Sequence, residues 1–182
     1  MPLSNGVVRK AVNPLDLGVA LGATTIASHL DPTLPRSRAK QTAKRAVQIL
    51  LEKDEGFHEP NRTERDALLI VFAHHRRVLY GAAFDVIRLK APVDLNDPEA
   101  IAASIDDITV YEIKSTSRSD VGDDLAGYFF ALTTAELLVS QSLAQQFRFA
   151  FVNTLNRTYQ EMTLNDVFGR ARGIYPTWSI RF

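Results

Sequence analysis

The sequence predicts an α/β fold, a mixed β-sheet flanked by helices. Three segments carry that prediction. Residues 108–116 are rich in β-branched side chains and alternate, as a strand does. Thr133-Thr134-Ala135-Glu136 has the spacing of a helix-opening capping box, with Thr133 as the cap and Glu136 reaching back. Residues 148–153 alternate again behind that helix. Strands, then a helix, then a further strand make a layered α/β arrangement.

Taken in order, residues 1–35 form a lead-in separate from a domain spanning 36–182. Within it, residues 14–29 are mildly apolar and rich in small side chains, which suits a loose helix or a partner-binding arm. Asp31-Pro32-Thr33-Leu34-Pro35 then breaks any helix, because two prolines so close together cannot continue one. Residues 37–52 read as a helix capped by Ser37, with Ala39, Ala43, Ala46, Val47, Leu50 and Leu51 on one face. Residues 54–62 are a polar loop. Residues 67–73 are continuously apolar. Thr63-Glu64-Arg65-Asp66 ahead of them argues for a helix, and Ile70, Val71 and Phe72 argue for a strand. The expectation favours a hairpin turning near His75-Arg76 and returning through 78–89. Residues 91–105, with Pro92 and Pro98, connect two strands. Residues 128–132 are expected as a third strand, and the helix opened by Thr133 runs to about Gln146. Thr163-Leu164-Asn165-Asp166 caps a short helical turn, and 178–182 reads as a terminal strand.

Composition excludes several classes. The 182 residues contain no cysteine, so disulfides and thiolate metal sites are absent. No run reaches the roughly 18 apolar residues of a membrane span, and the first residues lack the pattern of a signal peptide. A cytoplasmic protein is the expectation. The 21 basic and 21 acidic side chains cancel, but they are unevenly placed. Residues 1–50 hold seven basic and two acidic side chains, whereas 91–124 hold nine acidic and two basic. A basic flank beside an acidic centre suits a metal-using enzyme acting on a polyanion, and equally two solvated faces of any domain.

The chemistry-bearing segment is Tyr111-Glu112-Ile113-Lys114. Side chains two apart on a strand share a face, so Glu112 and Lys114 stand together while Tyr111 and Ile113 turn to the other side. Burying an acid and a lysine costs several kcal/mol unless they are paired or bind metal. A second isolated acid, Asp85, sits in the apolar run Gly81-Ala82-Ala83-Phe84-Asp85-Val86-Ile87. If the two strands pair, Asp85 and Glu112 approach each other. Two carboxylates of this kind hold Mg2+ or Mn2+, the carbonyl of Ile113 can add an oxygen, and Lys114 can orient an attacking water. The competing reading makes Glu112 and Lys114 a solvent-facing pair on an edge strand, worth under about 1 kcal/mol.

An Asp, a connection of tens of residues, then Glu-x-Lys on an apolar strand resembles the PD-(D/E)XK nuclease superfamily. The order Glu112-Ile113-Lys114-Ser115-Thr116, Gly127-Tyr128-Phe129-Phe130-Ala131-Leu132-Thr133, the Glu136 helix and Arg148-Phe149-Ala150-Phe151-Val152-Asn153 is similar to the nuclease-like domain at the C-terminus of NO VEIN-type proteins. The resemblance covers about the last hundred residues. It implies a restriction-endonuclease-like core that hydrolyses DNA with Mg2+ or Mn2+, in restriction or defence, with Asp85, Glu112 and Lys114 as the active site. Asp85 and Glu112 would be the metal ligands. The motif's proline is missing, since Phe84 precedes Asp85. Some members place an acid on the first helix, a position that Glu52 or Glu55 could fill.

Arg36, Arg38, Lys40, Lys44 and Arg45 make the best candidate for contacts to a DNA backbone, with a solvated helix face as the alternative. Arg170, Arg172 and Arg181 could add phosphate contacts. His74-His75 beside Arg76-Arg77 reads as a surface cluster, Ser37-x-x-Lys40 as a helix cap, and Tyr128, Phe129 and Phe130 as core. No glycine-rich phosphate loop is present. A chain this small cutting both strands would act as a homodimer. A different class of function is a non-catalytic nucleic-acid or protein-binding module that kept the nuclease fold. A third is an enzyme acting on RNA.

Overall fold

The structure is a computed structural model and describes residues 36–122 and 124–175. Helix α1 is Arg36–Leu51, strand β1 Phe57–His58, α2 Arg62–His74, β2 Val86–Leu89, α3 Pro98–Ala103, β3 Ile108–Thr116, α4 Thr134–Leu143, β4 Phe147–Asn153, β5 Thr158–Met162 and α5 Leu164–Arg170. Short 3-10 turns at Ile105–Asp107 and Ala144–Gln146 lead into β3 and β4. The strands lie in the order β1-β2-β3-β4-β5. β3 and β4 are parallel, joined across α4, and the other neighbours are antiparallel. This is the expected mixed sheet flanked by helices. None of the described helices is long and apolar enough to cross a membrane.

Period-two alternation along β2, β3 and β4 divides the core between the two faces of the sheet. On one face Val86, Tyr111, Ile113, Ala150 and Val152 pack against Ala46, Ile49 and Leu50 of α1. On the other Ile87, Ile108, Val110, Phe147, Phe149 and Phe151 pack against Leu68, Val71 and Phe72 of α2, Ile101 of α3, and Val139 and Leu143 of α4. Each fully buried side chain of this size contributes about 1.5–3 kcal/mol.

Three expectations are corrected. Residues 67–73 are the core of α2, not a strand. The cap is Asn61, whose side chain accepts from the Glu64 N–H, while the Glu64 side chain accepts from the Asn61 N–H. Leu68, Val71 and Phe72 are buried and Ile70 is exposed, the three-and-four spacing of a helix packed on one side. The return strand is only Val86–Leu89. The connection 91–105 joins two strands, β2 and β3, as expected, and carries α3, capped by Asp97 with Pro98 in its first turn. Residues 128–132 form no strand: Tyr128 and Phe130 stack on each other and meet Phe151 edge-on, so their rings rather than a ladder hold the segment.

The helix of residues 37–52 is present, but its described part already includes Arg36, so Ser37 lies inside it rather than ahead of it. Strands β1 and β5 were not expected. β1 depends on Gly56, whose carbonyl accepts from the Leu89 N–H at 2.9 Å with φ at +80°. A Cβ there would lie 2.2 Å from the Leu89 oxygen, so only glycine permits this approach. The proposed arm, residues 14–29, and the terminal strand, residues 178–182, lie outside the described residues.

Candidate active site

β3 is the middle strand of the sheet, which rules out a solvent-facing pair on an edge. Glu112 and Lys114 are 0% and 2% exposed and point to the α4 face. α4 begins directly above them. Thr133 caps it by accepting from the Glu136 N–H at 3.2 Å, which fixes Glu136 in the first turn facing the sheet. The Lys114 ammonium then donates to Glu112 Oε1 at 3.0 Å and to Glu136 Oε2 at 2.8 Å. Glu136 is itself 0% exposed. The Phe130 ring lies 5.9 Å from Lys114 Nζ. The result is a buried acid–lysine–acid bridge between the central strand and a helix N-terminus.

Asp85 is brought to the same place by the β2–β3 register. Val86 pairs with Tyr111, so one step further along the antiparallel pair sets Asp85 opposite Glu112. The ladder departs from its regular pattern there. The Asp85 N–H donates to the Tyr111 carbonyl at 2.8 Å, and Asp85 Oδ2 accepts from the Ile113 N–H at 2.9 Å. A side-chain carboxylate thus takes over from main-chain pairing at the start of β2. Asp85 is partly exposed, so of these four ionisable groups it is the one that solvent reaches.

The electrostatics follow from burial and crowding. Burial pushes the Glu112 carboxyl well above the ordinary range, the Asp85 charge pushes it further, and Lys114 opposes both. Burial alone would lower Lys114, but Glu112 and Glu136 hold it above the usual lysine value. Two carboxylates therefore hold one ammonium, and a third, Asp85, acts on Glu112 from the β2 side.

A hard divalent cation takes oxygen ligands and keeps several waters. In a strand the N–H and C=O of one residue point the same way, so Ile113, whose N–H meets Asp85, turns its carbonyl to this edge too. Asp85, Glu112 and the Ile113 carbonyl are thus a chemically suitable oxygen set beside an excess of negative charge. Among the described residues no group of three or more His, Cys, Asp or Glu side chains is arranged to hold a metal. A cation here would rest on two carboxylates, one main-chain oxygen and water.

Sequence reasoning missed two participants. Glu136 was legible only as a capping residue. Arg65, on α2, donates to the carbonyls of Gly81, Phe84 and Asp85, and no motif signals it. The basic helix α1 packs on the opposite face of the sheet from the Glu112 and Lys114 side chains. Lys40, Lys44 and Arg45 are exposed there, and the side chains of Arg36 and Arg38 lie outside the description. Glu52 pairs with Arg157 in the β4–β5 turn, and Glu55 accepts from the Tyr159 hydroxyl, so neither joins the bridge. His74, His75 and Arg76 are exposed at the C-terminal end of α2. Arg170 reaches Gln160 and Met162, Arg172 is exposed, and Arg181 lies outside the described residues.

The fold and site define a class: a three-layer α/β protein whose central strand is tied to a helix by a buried acid–lysine–acid bridge, beside a partly exposed aspartate. Comparison with protein-family models, with curated proteins and with solved structures gives no match to this chain.

Proposed function

We propose that this protein is a metal-dependent endonuclease that hydrolyses DNA phosphodiester bonds, with Asp85, Glu112 and Lys114 as its active site. The observation that carries this reading is the convergence of Asp85 with Glu112 across β2 and β3, with Lys114 beside them. It is the arrangement that the resemblance to PD-(D/E)XK nucleases implies. Asp85, Glu112 and the Ile113 carbonyl would hold Mg2+ or Mn2+, which when bound polarises the scissile phosphate and acidifies a water. Lys114 orients the attacking water and offsets the negative charge that develops on the phosphate. Glu136 holds that ammonium in place from the far side. The supporting expectation is a cytoplasmic enzyme of restriction or defence that works as a homodimer.

The second reading is a non-catalytic nucleic-acid or protein-binding module. The full burial of Glu112, Lys114 and Glu136 favours it, because a closed bridge is also a way to lock a strand to a helix.

The test incubates the chain with plasmid DNA, linear DNA and RNA in Mg2+ or Mn2+, beside Asp85→Asn. Asparagine still offers an oxygen to the Ile113 N–H but removes the charge. DNA cutting by the wild type that disappears in a folded Asp85→Asn variant supports the nuclease. Intact nucleic acid in every condition, with binding retained, supports the module. Cutting of RNA alone reassigns the substrate.

A further inference from the structure

The aspartate of the site enters on a turn that lacks the proline its motif calls for, and the structure contains a substitute. Arg65 sits in the second turn of α2, half-buried. Its Nη1 donates to the carbonyls of Gly81 and Phe84, both at 2.8 Å, and its Nη2 donates to the carbonyl of Asp85 at 3.2 Å. The guanidinium carbon lies 4.1 Å from the centre of the Phe84 ring, the residue that stands where the proline would be. Phe84 is itself 3% exposed and anchored among the side chains between the sheet and α2.

We propose that Arg65 is a positioning residue for Asp85: its planar fork clamps the 81–85 turn through three main-chain carbonyls, over the Phe84 ring, and so aims the Asp85 carboxylate at β3, onto the Ile113 N–H beside Glu112. This rests on the nuclease reading and extends it. The fork geometry matters, because a lysine supplies the charge but cannot bond three carbonyls in one plane. Arg65 touches Asp85 through its main chain in this arrangement and has no assigned contact with substrate. Its effect therefore falls on cation binding and turnover rather than on DNA affinity. Burial disfavours the charge of the guanidinium, and three acids, Asp85, Glu59 and Glu112, favour it.

The test uses the full chain with Arg65→Lys and, separately, Phe84→Leu, which keeps an apolar side chain but removes the ring under the guanidinium. Calorimetric titration with Mn2+ measures cation affinity, steady-state cleavage separates kcat from KM, and hydrogen exchange follows the Ile113 amide without metal. We expect Arg65→Lys to weaken Mn2+ binding about 10- to 100-fold, to lower kcat with KM for DNA unchanged, and to reduce protection of the Ile113 amide. Phe84→Leu should move all three in the same direction by less. Wild-type Mn2+ affinity and Ile113 protection in both folded variants would overturn the proposal, leaving Arg65 a stabilising contact only. A raised KM with kcat and Mn2+ affinity intact would overturn it in favour of direct DNA contact. If the wild-type chain neither binds Mn2+ nor cuts, the nuclease reading fails, and the Ile113 amide alone still decides whether Arg65 sets Asp85.

Discussion

Lys114 cannot be removed without leaving Glu112 and Glu136 buried across from each other. Breaking a buried ion pair by deleting one partner costs about 3–5 kcal/mol, a large share of the roughly 5–15 kcal/mol that holds a domain folded. Lys114→Ala should therefore show a markedly lower denaturant midpoint, and a loss of cleavage in that variant would not by itself locate the chemistry. Asp85→Asn is the cleaner substitution, because Asp85 is partly exposed and its hydrogen bond to the Ile113 N–H survives in the amide. At this scale the sequence displayed Glu112 and Lys114 through period-two spacing and Asp85 as a lone acid in an apolar run. It displayed Glu136 only as a capping residue, because a helix N-terminus and a binding site use the same residue type. Arg65 was illegible: its three partners are main-chain carbonyls, which leave no trace in side-chain identity.

Among the elements, α2 depends on its N-terminal box. Burial would raise the Glu64 carboxyl, but the bonds from His58 and from the Asn61 N–H outweigh it and hold the group below the ordinary value of 4.5. A carboxyl lowered on folding stabilises above its unfolded value, and that contribution is lost as pH falls through the lower folded value. The melting temperature of Glu64→Gln should thus trail the wild type at neutral pH, and the gap should close below about pH 4. Thermal melts across that range check it. The strands β3 and β4 were legible from alternation, and the helices α4 and α5 from their capping residues. α2 was not, since an unbroken apolar run erases its own periodicity and the cap lay at Asn61, two residues before the Thr63 expected. β1 has two residues, and β5 is a largely polar edge strand, so neither displays an apolar pattern. The aromatic run at 128–132 imitates a strand because rings that pack face and edge select the same residue types as a ladder.

For the whole molecule, three layers place one acid–lysine–acid bridge on one side of the sheet and the basic helix α1 on the other. On the proposed nuclease reading, a single site in each chain would cut one strand per encounter. Supercoiled plasmid should pass through open circles before linear product at dilute protein, and linear product should form directly once two chains associate. A gel time course at two protein concentrations distinguishes these outcomes. The mixed sheet and its flanking helices were readable from the order of elements in the chain. Which face each helix would cover was not, because the sheet order arises from pairings between segments far apart in sequence.

The aromatic cover over the bridge has a consequence for reagent chemistry. Lys40, Lys44, Lys53 and Lys90 are exposed, while the Lys114 amine lies closed beneath Phe130. In a brief treatment with an acylating reagent, peptide masses should show the four surface amines modified and Lys114 spared. The appearance of acylated Lys114 once nucleic acid is added would time the movement of the Phe130 ring, turning an inert amine into a clock for the opening of the bridge.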